Sequence, residues 1–211
     1  MKNSLSIFVL MLVLALPAVA QNAAPFRPDA TQNQALDLIT AHLQAIKTLQ
    51  GKFVQASSNG NTAAGKFYMA RPGRLRFVYD DAKAPQIIAD GSHMIYYDPR
   101  LEQVTYLSID RSPLAPILQE KVDLRDASIE LRDVTQRKGK ISIVMRKRDD
   151  PSGGEVTLVF NAEPLYFDRW IIRDAQDVIT TVSLTDARLG GAIDNKLFVF
   201  NDPRPISRRT E

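Results

Sequence analysis

The chain has 211 residues, of which 45% are hydrophobic and 24% charged, the balance of an ordinary globular protein. It carries 27 Lys+Arg against 24 Asp+Glu and has no cysteine, so disulfides and thiolate metal sites are excluded and stability has to come from packing. A net charge of +3 is close to neutral and does not mark a nucleic-acid binder.

The first 20 residues have the form of a secretion signal. Lys2 supplies the charged start, Leu5 to Leu16 is almost unbroken apolar sequence, and Ala18-Val19-Ala20 is a small-x-small cleavage pattern. The apolar run is too short to span a bilayer as a helix. The expectation is a signal peptide over 1–20 and a single mature domain over 21–211, soluble beyond the inner membrane. With no cysteine at the cleavage point, no lipid anchor is expected.

Residues 21–30 read as a loose leader. Thr31 and Gln34 have capping-box spacing, and Leu36, Ile39, Leu43 and Ile46 recur at three- and four-residue steps. This predicts one amphipathic helix of about four to five turns, stopped by Gly51. Beyond Gly51 the period changes to two. Strands are expected at Lys52–Ala56, Gly65–Ala70, Arg74–Tyr79, Gln86–Asp90, His93–Asp98 and Leu101–Leu107. Five more follow at Ile129–Gln136, Lys140–Lys147, Glu155–Phe160, Leu165–Asp174 and Val178–Arg188. Between the two sets lies the apolar, proline-punctuated run Ser112 to Leu118, read as a short helix with Ser112 as N-cap and Pro113 at its first position. Arg204, Arg208 and Arg209 end the chain as a solvated, frayed basic tail. About ten antiparallel strands with two helical pieces make a mainly β (α+β) fold, a large curved sheet or barrel.

Catalytic signatures are missing. No Gly-x-Ser-x-Gly elbow, Walker loop or dinucleotide fingerprint occurs. His42 and His93 have no ligand-type neighbours, and Asp80-Asp81 and Asp149-Asp150 sit in turn sequence, where aspartate bonds its own backbone. A non-enzymatic protein without metal or cofactor is expected, and a hydrolase of envelope substrates is disfavoured. What the sequence does offer is apolar alternation. Phe53, Phe67, Met69, Leu75, Phe77, Tyr79, Met94, Tyr96, Ile143, Met145, Leu158 and Phe160 keep strand phase and would collect on one face of a curved sheet. They either fill a core or line a cavity for an apolar ligand.

Leu49-Gln50-Gly51-Lys52-Phe53-Val54-Gln55 after an amphipathic helix, then Gly65-Lys66-Phe67 and Arg71-Pro72-Gly73-Arg74-Leu75-Arg76-Phe77, resembles the LolA family, the periplasmic carriers of outer-membrane lipoproteins. The run from Ile88 to Pro99 and on to Thr105 is similar to the family's middle strands. The resemblance implies an incomplete antiparallel β-barrel whose apolar concave face is covered by a helical lid. It makes the alternating set an acyl-chain site, Leu114, Ile117 and Leu118 lid contacts, and Arg71 the latch that bonds the lid backbone. It implies acylated lipoproteins as cargo of a monomeric periplasmic carrier, an inner-membrane ABC-type exporter as donor, and an outer-membrane lipoprotein receptor as a further partner. A lipid- or lipoprotein-sensing adaptor on the same half-barrel is the alternative. Pro116 inside the lid helix and Leu75 in place of a frequent aromatic depart from the family's pattern.

Overall fold

The computed structural model describes residues 25–204. The expected signal peptide, with Lys2, Leu5–Leu16 and Ala18–Ala20, and the tail residues Arg208 and Arg209 lie outside the described residues. Among those described, no helix is long and apolar enough to cross a membrane.

Helix α1 (Ala30–Ala45) is opened by Asp29, whose carboxylate accepts the Gln32 N–H at 2.8 Å while the Gln32 side chain accepts the Asp29 N–H at 2.9 Å. The capping box therefore stands two residues before the expected Thr31/Gln34 pair. Asp29 is the stronger cap, and it leaves Thr31 inside the first turn. Leu36, Ile39 and Leu43 form its buried stripe. The helix stops at Ala45 and not at Gly51, because residues 48–57 already belong to the first strand.

Eleven strands form one antiparallel sheet. They are β1 (Thr48–Ser57), β2 (Thr62–Ala70), β3 (Arg74–Tyr79), β4 (Gln86–Asp90), β5 (His93–Asp98), β6 (Gln103–Ser108), β7 (Ile129–Arg137), β8 (Lys140–Lys147), β9 (Glu155–Asn161), β10 (Tyr166–Arg173) and β11 (Ile179–Leu189). The order is β6-β5-β4-β3-β2-β1-β11-β10-β9-β8-β7, so β1 closes the meander centrally against β11, and among the described residues β6 and β7 are the edges, each paired on one side. The sheet curls without closing, as an incomplete barrel. Gly51 serves that curl. Opposite it β11 carries both Asp186 and Ala187, and a Cβ on Gly51 would stand 2.9 Å from the Thr185 carbonyl oxygen.

Between the open edges run a 3₁₀ turn (Ile109–Arg111) and helix α2 (Ala115–Leu118). The short helix starts two residues later than expected. With Pro113 at the first position, Pro116 would stand where an N–H must close the first intrahelical bond, and proline has none. Leu114 is the N-cap instead, and Ser112 Oγ accepts the Leu114 N–H at 3.2 Å.

The inner face of the sheet, the α1 stripe, and Ile117, Leu118, Val122 and Leu124 after β6 form one continuous apolar core. The outer face of β4 and β5 has its own cover. Ile88, Ile95 and Tyr97 are buried there, and the chain after β11 returns as a second 3₁₀ turn (Asn195–Phe198) that buries Phe198 and sets Phe200 against Tyr97 at 5.8 Å. Arg204 is not frayed as expected. It pairs with Asp202 at 2.9 Å and is only 10% exposed at its side chain, because the chain is still packed across the sheet at that point.

Candidate functional site

The Arg71-Pro72-Gly73 turn joins β2 to β3 and reaches the end of α1 and α2 together. Its backbone starts the connection: Arg71 N–H donates to the Lys47 carbonyl and Gly73 N–H to the Leu118 carbonyl, both at 2.9 Å. The Arg71 side chain completes it. Nε donates to the Ile117 carbonyl at 2.7 Å, Nη1 donates to the Leu43 carbonyl in the last turn of α1, and Nη2 has no partner among the described residues. The side chain is buried without a carboxylate bonded to it. Burial alone lowers its pKa to about 10, so it remains charged at neutral pH. A cation held by carbonyls at a helix C-terminus is favourable, but each such bond also desolvates the charge. Arg71 is therefore a strong local connector of modest net stability.

Beneath α1 and α2, the strands place the expected apolar residues as follows. Phe53, Phe67, Met69, Leu75, Phe77, Ile143, Met145, Leu158 and Phe160 are buried together in the core, with Tyr79 and Met94 partly buried against it. Phe53 meets Phe77 at 5.0 Å and Tyr79 at 5.2 Å, both edge-on, and Phe67 meets Phe77 at 5.2 Å. Burial, with the neighbouring Tyr96 hydroxyl, pushes the Tyr79 phenol up to about 12. Tyr96 aligns with Ile87 and Phe77 across the sheet but is 41% exposed near the β6 edge. Leu114, Ile117 and Leu118 are all buried.

Sequence reasoning missed Phe167 and Trp170 as site residues. Phe167 pairs with Phe160 and Trp170 with Leu158, so both point inward although they are three residues apart. Asp168 is an extra residue in β10 that breaks the two-residue period. The signal available was that Trp170 is the chain's single tryptophan and lies in an apolar strand. The α1 residues Leu36, Ile39 and Leu43 were legible as a stripe, but not as the surface opposite the aromatic face. His42, on the same helix, stands edge-on to Phe160 at 6.1 Å with a lowered pKa from burial.

A pocket of about 540 Å³ opens beside α2, in the size range of small-ligand sites. Pro113, Ala115 and Pro116 line one side, Ile129, Met145 and Val156 the other, and Asp110, Lys121, Arg146 and Asp149 stand among its charged groups. It reaches the core residue Met145 between α2 and the β7–β9 strands. Among the described residues, no group of three His, Cys, Asp or Glu is placed to hold a metal ion.

An aromatic concave face is packed against α1 and α2, and one buried arginine ties both helices to the β2–β3 turn. The chain belongs to the LolA family: the model described as outer membrane lipoprotein carrier protein LolA matches residues 44–201. It is similar to an outer-membrane lipoprotein carrier protein of Methylococcus capsulatus, 26% identical over 176 residues that cover 80% of this chain and 84% of the relative. A protein of the same name from Halorhodospira halophila is 26% identical over 98% of this chain and 94% of its own length. A LolA superfamily protein from Nitrosomonas europaea superposes with a TM-score of 0.46 and 12% identity, over 78% of this chain and 97% of that one.

Proposed function

We propose that this protein is a periplasmic carrier of acylated lipoproteins. It takes up acyl chains between the aromatic inner face and a displaced lid, and hands them on to the outer membrane. The observation that carries the reading is Arg71, a buried cation that fastens both covering helices through main-chain carbonyls alone. Such a fastening releases without leaving a buried carboxylate unpaired.

The magnitudes favour this arrangement. Each buried CH₂ contributes ~0.8 kcal/mol, so one chain of about 14 carbons gains roughly 10 kcal/mol, and several chains fully buried would approach the ceiling of non-covalent affinity. Here the inner face is already packed against α1 and α2. Cargo must displace those contacts, and the gain from burying its tails is reduced by the loss. Net affinity stays moderate, as a carrier that releases its load needs. The names of the relatives support lipoprotein as cargo. An ATP-driven exporter in the inner membrane fits as donor, because nothing in the chain resembles a nucleotide-binding loop.

The test is mass spectrometry of what purifies with the protein from the periplasm, for the natural chain and for Arg71→Leu. Triacylated lipoprotein is expected with both, and in larger amount with Arg71→Leu, whose lid no longer competes as well for the inner face. Free phospholipid alone, or no lipid in either preparation, overturns the carrier reading.

A further inference from the structure

The lid turn is held from the opposite side of the sheet as well. Arg74 opens β3 with its neighbour Leu75 on the inner face, so its own side chain lies outward. There the guanidinium donates to Asn195 Oδ1, lies 5.6 Å over the ring of Phe198, and reaches back to the Arg71 carbonyl at 3.4 Å. Asn195 and Phe198 belong to the 3₁₀ turn that returns across the outer face, and Phe198 is itself buried. Gly73 leaves little slack between these contacts. Its φ is +70°, and a Cβ there would come within 2.7 Å of the Gly91 carbonyl oxygen. One short turn thus bears Arg71 inward on the lid, Gly73 against the β4–β5 turn, and Arg74 outward on the C-terminal strap.

We propose that Arg74 is a positioning residue for the lid, coupling the Asn195–Phe198 strap on the convex face to the Arg71 fastening on the concave face, so that loosening the strap opens the lid. The inference rests on the reading of α2 as a lid. The Arg74 guanidinium meets Asn195, Phe198 and the Arg71 carbonyl, and it acts by fixing that carbonyl and the entry angle of β3. A hydrogen bond and a cation–π contact, both partly exposed, set a modest effect. The coupling gives the molecule a handle outside its cargo space: whatever pulls on the strap changes how readily the inner face is uncovered.

The experiment is amide hydrogen exchange on the purified protein without cargo, reading Gly73, Ile117 and the distant β8 residue Val144. Asn195→Ala removes the partner of Arg74 from the far side of the sheet. It is expected to speed exchange at Gly73 and Ile117 about fivefold, the equivalent of one net hydrogen bond, and to leave Val144 unchanged. Phe198→Leu should act in the same direction more weakly. In an Arg71→Leu background the Asn195→Ala increment should vanish, because the fastening it acts through is gone. The proposal is overturned if the two lid amides do not respond, if all three amides quicken together, or if the increment is the same in both backgrounds. These measurements contain no lipid, so their failure leaves the carrier reading standing. Absence of lipoprotein in the purified material would remove the carrier reading without touching the coupling.

Discussion

Strands β2–β6 pair in unbroken registers, from Ala70 opposite Arg74 through to Asp98 opposite Gln103. The other half of the sheet is interrupted three times. Arg132 is an extra residue in β7, Asp168 in β10, and Asp186 with Ala187 oppose the single Gly51 across β11 and β1. Each interruption carries an ion pair: Arg132 with Glu130 at 2.9 Å, Asp168 with Lys140 at 3.1 Å, and Asp186 with Lys52 at 2.9 Å. A bulge bends its strand and increases the local twist. The first half is therefore a regular wall that supplies Phe67, Phe77 and Tyr79, and it faces Phe160, Phe167 and Trp170 from the second half. The second half bends toward it, and charges placed at the bends keep the extra residues in contact with water.

The sharpest test of that contrast is to remove one residue from each half. Deleting Arg76 from β3 shifts the strand by one, which turns Phe77 and Tyr79 outward and Val78 inward while β2 and β4 keep their faces. Phe77 alone touches Phe53, Phe67, Tyr79 and Trp170. Losing two such side chains at about 1.5–3 kcal/mol each, together with a strand ladder, removes much of a typical 5–15 kcal/mol of stability. No cooperative thermal transition is expected by circular dichroism. A sharp melt near that of the natural chain would show that this half is not register-locked. Next in size is Trp170→Ala in the bulged half, expected to cost about 3–5 kcal/mol in urea unfolding. A cost below about 1 kcal/mol would mean that the contacts of Trp170 with Phe67, at 5.4 Å, and with Phe77, at 6.0 Å, do not hold the two walls together.

The same contrast governs what could be read in advance. In the regular half the alternation of Leu75, Phe77 and Tyr79 gave both the strand limits and the inward face, and β3, β4 and β5 begin and end as expected. In the bulged half the strands were legible from their turns, but Trp170 was not placed on the inner face because Asp168 breaks its phase with Phe167. Helix α1 was legible and its start was not, since Asp29 and Thr31 are both acceptable caps and only the geometry of the entering chain decides between them. The partners of Arg71 lie 28 and 46 residues away, beyond any local pattern. Its expected role as a lid latch came from the family resemblance alone. The return of the C-terminal segment over Tyr97 left no periodic signal either.

Deleting Asp168 is the counterpart of deleting Arg76 and should be far milder. Phe167, Arg169 and Trp170 then alternate regularly opposite Phe160, Val159 and Leu158, so every inward side chain keeps its face. What is lost is the bend and a half-buried carboxylate. Burial disfavours its charge, but hydrogen bonds from Arg169 and Lys140 outweigh that and lower its pKa. A loss of about 1–2 kcal/mol is expected in urea unfolding, with a cooperative transition retained. Lipoprotein uptake should fall more than stability does, because a flatter wall opens the concave face. Unfolding as complete as that of the Arg76 deletion would show that the bulge is structurally required and not a local adjustment.

The smallest effect belongs to the ion cluster at the β7 bulge. Arg146 donates to both oxygens of Glu130, at 3.0 and 3.1 Å, and Arg132 adds a third bond at 2.9 Å. The bond from Arg146 is the main reason that the Glu130 pKa is lowered, with Arg132 contributing in the same sense against partial burial. A carboxylate whose pKa is lower folded than unfolded stabilises the fold above its unfolded value, and that contribution disappears as pH falls through the folded value. The natural chain should therefore exceed Glu130→Gln by less than about 1 kcal/mol at pH 7, since the cluster faces solvent. The difference should close in acid below the ordinary carboxylate range and shrink at high salt. A gap that persists unchanged in acid would mean that Glu130 acts through packing at the bend and not through its charge. The bulged half would then hold its shape by the same means as the regular one.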